Sequence, residues 1–302
     1  MTAACEAKDA KLPDDMASIA DAEGIRASVL SKYLSYVSNP VLAALFAAFP
    51  AVRDRALADP TFLFKLGVEV FGDVGLSVAA EMHSRNDHFA DEAEFFVADV
   101  VAGSALNAAV LTMLSPTVSF GVSPGGGRAL RMLSRVDGKL NDFIRLLFCR
   151  ALPPAFPASA FVPGAYPAWR RVGSLALQGV RVGGVSALVG FAGQAAANGV
   201  CRLRRKYAPG GYSEGYAGTI HPEEPPLLEP AAEWGAFMGL SGNLRQQAII
   251  GAELAMRESA RVHPVVAAAA TVAMRLLNNV WGGEKFAERM RAMENEVYGV
   301  EA

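Results

Sequence analysis

The sequence predicts an all-α chain, a polytopic helical membrane bundle of about five core helices with one or two further helices lying at the interface. Three observations predict it. Of the 302 residues, 52% are hydrophobic and only 19% charged, which is leaner in charge than an ordinary soluble domain. Apolar stretches of helical length alternate with breaks rich in Pro, Gly and charge, and no alternation is long enough for a sheet. Small residues recur four apart within those stretches, as in Gly179-Gly183-Ala187, Ser186-Gly190 and Gly235-Gly239. Helices in lipid associate by close backbone approach at such positions. A soluble helix loses ~1 kcal/mol for each glycine that replaces alanine. Hydropathy alone leaves a soluble bundle with an alanine-rich core as the alternative.

Taken in order, residues 1–32 are polar and read as a tail with at most one short helix. The stretch from Tyr33 to Val52 is broken by Asn39-Pro40 and Pro50, so it reads as surface-lying or core-packed helix rather than a span. The first core segment opens at Asp59-Pro60. The Asp59 carboxylate can accept from free backbone N–H groups, and Pro60 suits the first turn, where no donor is needed. It continues to about Met82, close to the ~20 residues that cross a bilayer. The second runs from Glu94 to Ser115 and stops at Pro116. Residues 116–171 form a basic loop in which 129–150 have the spacing of a basic amphipathic helix. The third segment, Val172 to Val200, ends in Arg202-Leu203-Arg204-Arg205-Lys206, an interfacial anchor. The fourth covers about Leu227 to Met256. The fifth starts at His263-Pro264 and is expected to stop at Gly282-Gly283. Residues 284–302 read as a charged, helical stretch, with 291–302 as the C-terminal tail.

Several function classes fall away. Net charge is −2, with no basic stripe or recognition-helix signature, so no nucleic acid is implied. Cys5, Cys149 and Cys201 are too few and too scattered for a disulfide framework or a four-cysteine zinc site. Gly125-Gly126-Gly127 lacks the Lys-Ser/Thr ending of a phosphate loop, and there is no Gly-x-Ser-x-Gly elbow. His83 and His88, five apart beside Asp87, read as a solvated loop more readily than as metal ligands. No catalytic residue, cofactor or metal is expected. The N-terminus shows no secretory signal and is more acidic than a transit peptide.

What remains is a set of polar residues inside apolar segments. Lys65, Glu69 and Asp73 are spaced four and four, so they share one stripe of a helix, and Lys65 can pair with Glu69. Asp99 and Asn107 lie on one side of the second segment. Asn243, Arg245, Gln246 and Gln247 sit in the fourth, and Arg275, Asn278 and Asn279 in the fifth. Charges inside a membrane face the bundle interior and pair, at ~3 kcal/mol or more when they do not. One reading is a polar path: Glu69, Asp73 and Asp99 for a cationic group, Arg245 or Arg275 for a carboxylate, with Asn243, Asn278 and Asn279 beside them. Together these would suit a basic amino acid. The other reading is that the carboxylates salt-bridge Arg245 and Arg275 and fix helix register.

Four blocks carry a resemblance. ADPTFLFKLGVE (58–69), EFFVADVVAGSALNAAVLTMLSP (94–116), EWGAFMGLSGNLRQQAIIGAE (233–253) and RLLNNVWGGEKF (275–286) resemble the RETICULATA-related family of plants and algae. The resemblance covers about 55–290, and residues 1–54 lie outside it. It implies a multi-pass protein of the chloroplast envelope that affects plastid development, with transport of basic amino acids as a molecular proposal and no agreed catalytic motif. The expected partners are the lipid bilayer and a small polar metabolite, with a homo-oligomer left open. A structural, scaffolding role in the envelope is the alternative.

Overall fold

The computed structural model describes residues 12–22, 24–85, 93–118, 156–162, 164–207, 226–259 and 261–298. Among these residues all regular structure is helical, and no strand occurs. The chain divides into two compact units, 1–63 with 115–151 and 64–114 with 152–302. The amphipathic helix expected over 129–150 lies outside the described residues, as do His88 and most of the loop between the third and fourth segments.

The first unit holds four short helices: α1 (Asp14–Ala22), α2 (Ala27–Val37), α3 (Pro40–Ala48) and α4 (Pro50–Ala58). The stretch expected as a tail with at most one short helix thus forms two. Their apolar faces explain this, because Met16, Leu30, Tyr33, Leu34 and Leu57 close one small core, with Ile19, Val29 and Val37 packed against it. The breaks at Asn39-Pro40 and Pro50 separate the helices as expected. The Asn39 side chain accepts from the Val41 and Leu42 N–H groups, and each proline occupies a first turn. Lys32 Nζ donates to the carbonyls of Ala56 and Leu57 at 2.7 and 3.1 Å, satisfying carbonyls that the end of α4 leaves open. Arg53 is buried and pairs with Asp15 and Asp54.

The second unit contains most of α5 (Phe62–Arg85), then α6 (Ala93–Leu114), α7 (Ala168–Tyr207), α8 (Leu228–Phe237), a π-helical turn (Met238–Gly242), α9 (Asn243–Glu258) and α10 (Pro264–Tyr298). Asp59 does cap the start of α5: its carboxylate accepts from the Thr61 N–H at 2.9 Å and the Thr61 hydroxyl at 2.8 Å. Three of the five expected segments are long and apolar enough to cross a membrane by length and composition: Phe96–Leu114, Ala168–Val200 and Pro264–Ala292. The first and fourth are helical but fall short. Lys65, Glu69 and Asp73 interrupt α5, and the polar run Asn243 to Gln247 interrupts the fourth. The fifth does not stop at Gly282-Gly283 but continues to Tyr298. Positive φ among the described glycines is confined to Gly24 and Gly164, so this pair takes no left-handed helix-ending conformation.

The small-residue spacings have a direct structural use. A Cβ built on Gly179 would stand 2.9 Å from the Gly239 carbonyl oxygen, and one on Gly183 would stand 2.9 Å from that of Gly235. Seen from the other helix, a Cβ on Gly239 would meet the Gly179 oxygen at 2.8 Å. Helix α7 therefore lies backbone to backbone on α8 and the π turn, a distance that only glycine permits.

A non-helical segment, 156–162, is held within this unit. Ser159 Oγ donates to the Gln247 carbonyl at 3.1 Å, and the Ala160 N–H donates to Gln247 Oε1 at 2.7 Å. Ser174 Oγ and Gln178 Nε2 donate to the carbonyls of Pro157 and Ala158. Every one of these side chains is buried, so they replace the water that an irregular backbone would otherwise need.

Candidate functional site

The second unit buries a cluster of charged and polar side chains beside apolar ones such as Leu106, Leu111, Val182 and Leu254. Lys65 and Glu69 from α5, Gln246 and Glu253 from α9, and Arg275 from α10 are all buried. The four-residue spacing on α5 puts Lys65 and Glu69 on the same stripe. Glu253, eight residues beyond Arg245 on α9, reaches the same place from another helix.

Arg275 organises the cluster. Its Nε lies 2.7 Å from Glu253 Oε1 and its Nη2 lies 2.8 Å from Oε2, a two-pronged pairing. Its Nη1 donates to Glu69 Oε1. Lys65 Nζ approaches Glu253 Oε2 at 3.2 Å. Gln246 Nε2 donates to Glu69 Oε1 and Asn279 Nδ2 to Glu69 Oε2, both at 3.3 Å. The Arg275 and Glu69 side chains are fully inaccessible. Two cations face two carboxylates, so the cluster is neutral as a whole, and it joins three helices.

The expected site residues separate into groups. Glu69, Arg275 and Asn279 meet directly, and Asn278 joins through Asn279, donating to its Oδ1 at 3.2 Å. Glu69 and Arg275, expected to hold opposite ends of a substrate, are each other's partners. Asp73 turns to α6 instead, accepting from Ser104 Oγ and Asn107 Nδ2, each at 3.0 Å. A Cβ on Gly103 would stand 3.2 Å from Asp73 Oδ2, so a glycine makes room for this contact. Asn243 belongs to the lock on segment 156–162: its Nδ2 donates to the Leu175 carbonyl, and its Oδ1 accepts from Gln247. Arg245 stands apart, with its guanidinium over the rings of Trp281 and Phe237. The side chains of Asp99 and His83 lie outside the described residues.

Sequence reasoning missed three of the principal residues. Glu253 sits four residues before Arg257 on the same helix, so the sequence offers it a local partner and hides the one it takes on another helix. Ser104 is a small residue in an alanine-rich helix, and Ser159 lies in a proline-rich loop. The one available signal was that a carboxylate within an apolar segment must find a cation.

Fold and site together define a class: an all-helical protein with a charge-neutral polar interior and apolar residues on its outside, among them Phe71, Val101, Val180, Leu240 and Leu277. The chain belongs to the RETICULATA-related family, whose profile matches residues 54–252. It is 34% identical over 301 residues to "Protein RETICULATA, chloroplastic" of Arabidopsis thaliana, covering 95% of this chain and 62% of that protein. It is 33% identical over 292 residues to "Protein RETICULATA-RELATED 1, chloroplastic" of the same plant, covering 94% of this chain and 62% of that one. The chain thus spans somewhat under two thirds of the length of these relatives. No solved structure matches it.

Proposed function

We propose that this chain is a structural, scaffolding membrane protein of the plastid envelope, acting in plastid development, whose polar interior fixes helix register. The observation that carries this reading is the inverted burial. Lys65, Glu69, Glu253 and Arg275 are inside and matched to one another, while large apolar side chains such as Phe71, Val180, Leu240 and Leu277 are more than two thirds exposed. Water would favour the reverse arrangement, and a hydrocarbon surround favours this one. The plastid location draws on the printed names of the relatives, which are chloroplastic.

Transport of a basic amino acid is the second reading, and Asp73 favours it. Among the described residues its carboxylate accepts from neutral donors alone, Ser104 and Asn107, and could hold a cationic group. The balanced Glu69–Arg275–Glu253 cluster favours the scaffold, because a group already neutralised has no charge to offer a passing substrate.

One experiment tests both readings. Uptake of radiolabelled arginine, ornithine and lysine is measured in proteoliposomes holding the folded, carbonate-resistant protein. No uptake above empty liposomes is expected. Saturable uptake that Asp73→Asn abolishes would overturn the scaffold reading.

A further inference from the structure

The balanced cluster does not include Arg245, whose Nε and Nη1 are buried without a hydrogen-bonding partner among the described residues. Arg245 lies one helical position from Gln246, yet it does not join Glu69. Its guanidinium carbon is 4.6 Å from the centre of the Trp281 ring and 5.3 Å from that of Phe237. Its Nη2 lies against Gly282, where a Cβ would stand 2.9 Å away. Nε and Nη1 are buried and, among the described residues, meet no acceptor. The two rings attract the cation, but neither supplies an oxygen acceptor to Nε or Nη1. A buried donor left unmet costs about 1–3 kcal/mol, more when charged. The glycine at 282 matters here, because a side chain there would occupy the place of Nη2.

The surroundings restrict what could complete this group. Leu240, Leu244, Leu277 and Trp281 are large apolar residues near Arg245 in sequence or beside it on α10, and all are exposed by 46% or more. A cation set against two aromatic rings and bordered by exposed apolar surface suits an oxyanion carried on an apolar body. Arginine is fitted to phosphate oxygens by its planar fork of donors.

We infer that Arg245 is an anion-binding group that receives a phosphate oxyanion, with Trp281 and Phe237 holding the guanidinium in place and Gly282 leaving room for Nη2. The phosphate of an anionic lipid headgroup and free phosphate share this chemistry. The lipid source rests on the membrane reading above, and the oxyanion site itself does not.

The test uses the purified full chain in detergent and follows tryptophan fluorescence, to which Trp281 under the guanidinium contributes. Three titrants are compared: dioleoylphosphatidylglycerol in mixed micelles, dioleoylglycerol as its phosphate-free counterpart, and inorganic phosphate. The wild-type protein is expected to give a saturable change with phosphatidylglycerol and none with dioleoylglycerol. Arg245→Gln is expected to weaken that response about tenfold or more, the loss typical of a hydrogen bond to a charged group. Arg245→Lys keeps the charge without the planar fork and is expected to fall between the two. It also serves as the test should Arg245→Gln fail to keep its helical circular dichroism. An Arg245-dependent response to inorganic phosphate as strong as that to the lipid supports the site with a soluble source. The absence of any saturable response in the wild type, or a response that both Arg245 variants retain, overturns the proposal. Carbonate extraction of the wild type reports separately on membrane insertion, so failure of the one reading is distinguishable from failure of the other.

Discussion

Arg275 and Glu253 meet edge to edge, with Nε and Nη2 of the one 2.7 and 2.8 Å from the two carboxylate oxygens of the other. Neither side chain is more than 1% exposed. Removing one partner strands a buried charge, which typically costs about 3–5 kcal/mol, while removing both together costs much less. Arg275→Met and Glu253→Gln are therefore each expected to be strongly destabilising. The double variant is expected to fall short of their sum by about 1–3 kcal/mol, the coupling usual for residues in contact. Thermal unfolding of the detergent-solubilised protein measures all three. Additive losses would mean that the pair is not a unit.

The glycine contact between α7 and α8 makes a sharper prediction, because it has an internal control. At Gly183 an added Cβ meets the Gly235 carbonyl oxygen at 2.9 Å, and backbone cannot step aside as a side chain can. Gly183→Ala is expected to destabilise by about 1–3 kcal/mol, as overpacking does. At Gly199, on the same helix, nothing stands within 4 Å of the new atom. Gly199→Ala is expected to be neutral or to stabilise by about 0.5–1 kcal/mol through helix propensity. Thermal unfolding midpoints of the two variants, measured together, should move in opposite directions.

The segment 156–162 depends on Gln247, which accepts from the Ala160 N–H through its side chain and from Ser159 through its carbonyl. Gln247→Ala removes the first acceptor and leaves a buried N–H unmet, at a cost of about 1–3 kcal/mol. The expected outcome is faster proteolytic cleavage near Ser159 with unchanged helix content. Cleavage at the wild-type rate would show that other contacts hold the segment.

How much of this was legible in the sequence depends on whether the determinant was local. The Lys65, Glu69 and Asp73 stripe follows from helical period alone, and so does the use of glycines four apart. The role of Asn39-Pro40 and Asp59 as helix starts follows from the needs of a free first turn. Partner choice across helices does not follow in this way. Nothing in the sequence near Arg275 says that it meets Glu253 rather than Asp99, and Asp73 took neutral partners because α6 offers Ser104 and Asn107 at that level. The π turn at Met238–Gly242, which packs on Gly179 and Gly183 of another helix, was equally hidden. The second of the two helices α1 and α2 was missed because each buries only a few apolar residues, too few for a period to stand out in a polar stretch.

The first unit offers a pH test. Asp54 lies beside Arg53 but is largely buried, and burial pushes its carboxyl up from the usual 3.8 to about 6, against the opposing pull of the guanidinium. The sign follows from linkage. A group that holds its proton more tightly in the folded state contributes stability below its unfolded value, and that contribution is lost as pH rises through its folded value. Asp54 should thus favour the folded unit below pH ~4, lose this effect between about 4 and 6, and contribute nothing favourable at neutral pH. A shift of roughly two units corresponds to about 3 kcal/mol at most. Asp54→Asn retains an oxygen that Arg53 Nε can reach, and Arg53 keeps its pairing with Asp15. The variant is therefore expected to be more stable than wild type at pH 7–8, with the difference vanishing towards pH 4. Hydrogen exchange of backbone amides in α2 and α4 of the full chain, followed from pH 5 to 8 and corrected for intrinsic rates, measures this. Equal protection in the two proteins across that range would mean that Asp54 carries its charge in the folded unit as easily as in water.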